Sequence, residues 1–216
     1  MKQTVLALVL AASFAATVHA APTELAVNGF AEARQLFNAG AGGDEGARDK
    51  AIAAFQAMSA AHPGHPVFAA YEGAATAMKG RDALLPWDKL KFAEKGANAV
   101  EKALAQLTPA HDEALINGSP ESQLVRLVAV NTLLALPDFM NRKAGGKRAL
   151  EQGLASPTFA QSNANVKAGF LSAAARLANN EKRQADEIGY LKQVVALVPQ
   201  APDGTKAAAR LKELGQ

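Results

Sequence analysis

Apolar residues recur along this chain at intervals of three and four, the spacing of one helix face, in runs that end at proline or glycine. Phe30, Ala33 and Phe37 share such a face and predict a first helix from about Thr23 to Asn38. The small residues Ala39-Gly40-Ala41-Gly42-Gly43 favour a loop, after which Asp44 is placed to cap a second helix carrying Ile52, Phe55 and Met58 inward. His62-Pro63-Gly64-His65-Pro66 stops that helix, because proline supplies no amide donor and clashes with the preceding turn. A third helix is predicted from Pro66 to about Lys79, with proline tolerated in its first turn.

Pro86 then interrupts the pattern, and a helix from Trp87 to about Leu107 resumes it with the stripe Leu90, Ala93, Ala97, Val100 and Leu104. Beyond Pro109 and a polar loop around Asn117-Gly118-Ser119-Pro120, the segment from Glu121 to Leu136 is the most apolar helix downstream of the N-terminal run. Pro137-Asp138 breaks it, and a helix from Phe139 to Leu154 follows, weakened by Gly145-Gly146. Helices are predicted from about Ser162 to Asn179 and from Glu181 to Val198, the second closed by Pro199. A short polar helix from Gly204 to Leu214, turning Ala207, Leu211 and Leu214 inward, suits the end of a stack. The expectation is an all-α fold of about nine helices in stacked antiparallel pairs, forming one domain over 21–216.

Composition narrows how those helices meet. Apolar residues make up 49% of the chain but aromatics only 6%, and alanine dominates. Alanine is the strongest helix former and lets helices approach closely. With no cysteine, disulfides are excluded and stability has to come from helix packing.

The first twenty residues read as an address. Met1 and Lys2 precede an uncharged apolar run from Val5 to Val18, and Val18-His19-Ala20 has the small-residue pattern of a cleavage site. Cleavage after Ala20 would leave Ala21 as the mature start. The competing reading, an N-terminal anchor, needs a run of about 20 apolar residues, and this one is shorter. The missing cysteine excludes acylation as a lipoprotein. The expected product is soluble, periplasmic and without a membrane span. Its formal charge of +3, without a long basic run, gives no nucleic-acid footprint.

One spacing carries a resemblance. Ala51 is followed after four positions by Phe55, after eight more by Pro63 and after a further ten by Gly73. Weaker echoes run from Ala97 to Pro109, with Glu101 at the aromatic position, and from Leu191 through Pro199 to Ala209. In this phase the chain resembles the tetratricopeptide-repeat-like superfamily in a divergent, exported form. Ala69 stands where that family places tryptophan, a departure from its consensus. The resemblance implies a right-handed α-solenoid with a concave groove for peptides or partner proteins. Members that clamp a C-terminal carboxylate need charged groove residues, and the corresponding Ala70 and Ala74 argue against that mode.

Candidate chemistry is sparse. No nucleophile elbow, phosphate loop, HExxH or calcium-loop pattern occurs. His62 and His65 flank a Pro-Gly turn without a third ligand nearby, so solvated loop histidines are expected and no metal. His111-Asp112-Glu113 reads as an acidic helix start. Tyr71, Glu72, Arg81, Asp82, Trp87, Lys89, Lys91 and Phe92 mix aromatics with both charges, as a binding surface would. The simpler expectation is that Trp87 and Phe92 fill the core and the charges face solvent. Arg126 and Asn131 sit inside LVRLVAVNTLLAL, where burial would demand partners. Glu72 and Asp82 are the expected partners of Arg126, in either a structural pair or a recognition site.

These features point to a periplasmic scaffold or accessory subunit of an envelope or transporter-linked assembly, binding a protein or peptide. The candidate contacts are Tyr71, Glu72, Arg81, Trp87, Arg126 and Asn131, with no cofactor and no catalysis expected. The competing expectation is a small-molecule binder with a pocket near Tyr71, Trp87, Arg126 and Asn131.

Overall fold

The computed structural model describes residues 23–25 and 27–216. The expected leader lies outside them. The chain begins with a two-residue strand β1 (Thr23–Glu24), then α1 (Phe30–Ala41), α2 (Glu45–Ala61), α3 (Pro66–Asp82) and α4 (Pro86–Ala105). A short helix α5 (Ala110–Glu113) leads into strands β2 (Ala114–Ile116) and β3 (Ser119–Pro120). Helices α6 (Glu121–Ala135), α7 (Lys143–Ala155), α8 (Thr158–Gln161), α9 (Ala164–Asn180), α10 (Gln184–Leu197) and α11 (Pro202–Glu213) complete the order.

Helices pack chiefly on their chain neighbours: α1 on α2, α3 on α4, α6 on α7, α9 on α10. The pairs then stack through α2 on α3, α3 and α4 on α6, and α6 on α9, with α11 against α10 and α9. This all-α stack of helix pairs is the repeat-like architecture that the periodicity predicts. Nine helices of twelve residues or more occur among the described residues, and Asp44 caps α2 as expected, its Oδ1 accepting from the Ala47 amide at 2.9 Å.

The boundaries differ where long-range pairing intervenes. The first helix starts at Phe30, not near Thr23, because residues 23–25 are held extended: Thr23 and Glu24 pair in parallel with Ala114 and Leu115, and the Leu25 amide donates to the Leu115 carbonyl at 2.7 Å. It also runs on through Ala39-Gly40-Ala41, so the loop is confined to 42–44. The polar loop at 117–120 is a hairpin turn. Asn117 and Gly118 both adopt left-handed φ (53° and 68°), the geometry of a type I′ turn, and join antiparallel β2 to β3. α7 begins at Lys143 instead of Phe139, since a 3-10 turn over Asp138–Met140 and a left-handed Asn141 absorb the break after Pro137.

The larger core runs from Phe30 to Ala174 and centres on Phe30, Phe55, Phe68, Val100, Leu133 and Phe170. A smaller one joins α9, α10 and α11 through Leu171, Leu191, Val194, Val198 and Ala207. The tightest junction is α3 against α4. A methyl group at Gly96 would lie 2.4 Å from the Gly73 carbonyl oxygen, and one at Gly80 would lie 2.6 Å from that of Lys89. Backbones approach this closely only where side chains are missing.

Candidate functional site

The residues with candidate chemistry separate into structural and exposed groups. Tyr71 is buried in an aromatic cluster, stacked on Phe55 at 4.8 Å and met edge-on by Phe30 and Phe37. Burial pushes its phenol above the ordinary value. Glu72, one turn position further round α3, accepts from Gln56 Nε2 at 3.0 Å.

Arg81 closes a helix end. Its Nη1 and Nη2 donate to the Ala41 and Gly40 carbonyls at 2.9 and 3.0 Å, two of the acceptors left over at the C-terminus of α1. Nε also holds Asp82 at 2.6 Å. Asp82 in turn pairs with Arg48, whose side chain is buried. The hydrogen bond from Arg81, joined by that from Arg48, holds the Asp82 carboxyl below its ordinary value against the opposing effect of burial.

Arg126 therefore finds neither expected partner. It is half-buried, and Nη1 lies 3.7 Å from Asp112 Oδ1, an ion pair too long for a hydrogen bond. Asn131 is exposed rather than buried, and its Oδ1 accepts from Arg176 Nη2 at 2.7 Å. Trp87 does not fill the core: it is 66% exposed in the first turn of α4, while Phe92 is half-buried with the Lys79 ammonium 5.8 Å above its ring. Placing Pro86 at the first helical position turns the next residue outward at the corner. The expected solvated loop histidine is corrected at His65, whose Nδ1 lies 2.7 Å from Oε2 of the fully buried Glu121.

Asn131 leads to a feature that its own segment does not reveal. Arg176 extends from α9 into a cleft of about 270 Å³ between α9, α10 and α11. Leu191 and Ala207 give it an apolar floor, and Asp203, Lys206 and Arg210 approach from α11. Arg210 is committed to the buried Glu187 at 2.8 Å and to Glu213 at 2.9 Å. Lys206 and Asp203 have no ion-pair partner among the described residues. Crowding by the cleft walls pushes the Arg176 guanidinium below its ordinary value, opposed by the nearby Asp203 charge, although the residue as a whole stays exposed. The cleft therefore offers a cation beside an anion over apolar carbon, an arrangement suited to a ligand carrying both charges. Its legible trace is the spacing Asp203, Lys206, Arg210, which marks one face of α11.

The structure thus links Asn131 to Arg176, which lines the cleft, and commits Tyr71, Glu72 and Arg81 to contacts within the stack. Among the described residues no group of three or more His, Asp or Glu side chains could hold a metal ion, and no helix is long and apolar enough to cross a membrane. Fold and cleft define an all-α protein of stacked helix pairs with a mixed-charge cleft at its C-terminal end. Comparison with known protein families, curated proteins and solved structures finds no match to this chain.

Proposed function

We propose that this is a binding scaffold of the tetratricopeptide-repeat type, a periplasmic interaction module or accessory subunit of an envelope or transporter-linked assembly. The observation that carries the reading is the α9–α11 cleft, where Arg176, Asp203 and Lys206 stand beside apolar carbon at one end of a helix stack. The Arg176–Asn131 hydrogen bond ties this cleft-lining arginine to α6, the helix a bound peptide segment would meet next. Affinity in such a cleft comes from a few arginine contacts that binding desolvates, not from total area. The protein is exchanged against periplasmic extract in parallel with an Arg176→Ala, Lys206→Ala variant. Recovery of one partner by the native chain and its loss from the variant is the expected result. An identical set of proteins on both, or none on either, would overturn it.

A second reading is favoured by the size of the cleft: about 270 Å³ suits a small zwitterion better than a folded partner. A thermal-shift series with free amino acids and dipeptides separates the two. A ligand that binds the folded state alone raises the melting temperature by mass action.

A further inference from the structure

Six large apolar side chains are exposed among the described residues, and four of them cluster at one corner: Leu84 and Leu85 in the connection between α3 and α4, Trp87 and Leu90 at the start of α4. Isolated exposed apolar residues are ordinary, but a contiguous group is not. Leu84 is 93% and Trp87 66% exposed, so these side chains stand away from the rest of the molecule. Leu90 follows Trp87 by three positions on α4 and shares its face. The group sits on a rigid support, because α3 and α4 meet backbone to backbone at Gly73, Gly80 and Gly96.

Its shape and chemistry select the occupant. A helical hairpin ends here in a corner from which Leu84 and Trp87 protrude. Four side chains, two of them less than half exposed, fall well short of the roughly 800 Å² that each partner buries in a stable protein interface. Tryptophan and leucine at a protruding tip instead match the boundary between headgroups and acyl chains. Lys89 and Lys91 bracket Leu90 and Lys95 follows; all three are exposed, against Asp88 and Glu94 on the same turns. That slight excess of cations fits a negatively charged surface.

We infer that the Leu84–Leu90 corner docks the protein on an anionic phospholipid interface, inserting Leu84 and Trp87 as a shallow wedge. This stands apart from the cleft between α9 and α11.

Trp87 is the single tryptophan of the chain, so its fluorescence reports this corner alone. The full chain is titrated with vesicles of equal parts phosphatidylcholine and phosphatidylglycerol, and with phosphatidylcholine vesicles. With the mixed vesicles the emission shifts to the blue and acrylamide quenching falls; with phosphatidylcholine alone both effects are weaker. Leu84→Ser, whose native side chain contacts almost nothing, keeps the native circular dichroism and lowers vesicle partition about tenfold. Replacing Lys89 and Lys91 by serine lowers partition onto the mixed vesicles by about fivefold per lysine. Phe139→Ser, a 71% exposed residue in the α6–α7 connection, leaves partition unchanged. An unshifted Trp87 with both vesicles overturns the inference, as does a shift that Leu84→Ser does not reduce, which would place attachment in the N-terminal apolar run. A blue shift that grows with protein concentration without vesicles, together with a doubled mass, would assign the corner to self-association instead.

Discussion

At the scale of single residues, the most consequential side chain is one whose sequence position reads only as a helix start. Glu121 is fully buried at the beginning of α6, and its Oε1 accepts from the Val67 amide at 3.1 Å. That amide belongs to the first turn of α3, where amides have no partner within their own helix. The carboxylate also lies where the positive ends of two helix dipoles favour it, and His65 meets its other oxygen. Glu121→Ala would leave the buried Val67 amide unsatisfied, at a cost of about 1–3 kcal/mol, while Glu121→Gln keeps an acceptor and loses less. Urea unfolding measures both, and an alanine variant with the native midpoint would refute this role. The pairing spans 54 positions, so no local pattern announces it. For the same reason the partner of Arg126 is not legible from spacing: the residue type demands an acid, but only the fold makes Asp112 the near one in place of Glu72 or Asp82. The Arg48 cluster gives a pH dependence. Asp49 is held below its ordinary value by its hydrogen bond from Arg48, and Asp82 by those from Arg81 and Arg48. Carboxylates depressed in the folded state contribute stability that is present above their unfolded value of about 3.9 and lost as pH falls through the lower folded value. Stability should therefore decline below about pH 4, and Asp82→Asn should flatten that decline while lowering stability at neutral pH. Parallel acid titrations of the two proteins would disprove the assignment.

At the scale of elements, helix existence was legible and helix contact was not. The three-and-four spacing located every long helix, since an amphipathic face is written in consecutive residues. Gly73 could be read as a place for close crossing. Gly80 and Gly96, its counterparts along the same α3–α4 junction, carry no local pattern that separates them from a glycine that merely weakens a helix. Position decides between the two meanings. Gly96→Ala gains about 1 kcal/mol of helix propensity but places its methyl 2.4 Å from the Gly73 oxygen and 2.5 Å from the Ala77 nitrogen, so it is expected to destabilise by about 1–3 kcal/mol net. Gly189→Ala, in α10 with nothing within 4 Å, is expected to stabilise by about 0.5–1 kcal/mol. Melting temperatures that move in the same direction would refute the distinction. The small sheet leaves no trace in the periodicity for a related reason. Strands of two or three residues are too short for a period, although Asn117-Gly118 is the local signal for a hairpin turn. Trp87 shows the opposite failure, because aromatic character suggested core while the geometry of the Pro86 corner placed it outside.

At the scale of the whole molecule, the stack has two cores of unequal size and shares α9 between them. In architectures of this kind each pair leans on its neighbours, so stability is a sum of local terms instead of a single global one. α10 packs chiefly on α9 and α11, and the core it serves is small. Opening 184–213 would therefore expose Leu191, Val194, Val198 and Ala207 while leaving the aromatic cluster of α1, α2 and α3 intact. Amide exchange should divide accordingly, with α10 and α11 exchanging through a partial opening and α3 and α6 through global unfolding. The Arg210–Glu187 pair ties α11 to α10, so Arg210→Ala should speed exchange in those two helices and leave α3 unchanged. The cleft that carries the proposed function lies across this same junction, which gives the prediction its weight. A ligand seated on Arg176 and Lys206 bridges α9 and α11 and must slow exchange in α10 and α11 first. Uniform exchange of all helices, with Arg210→Ala accelerating them equally, would mean that the two cores unfold as one and that the cleft has no independent opening to couple to.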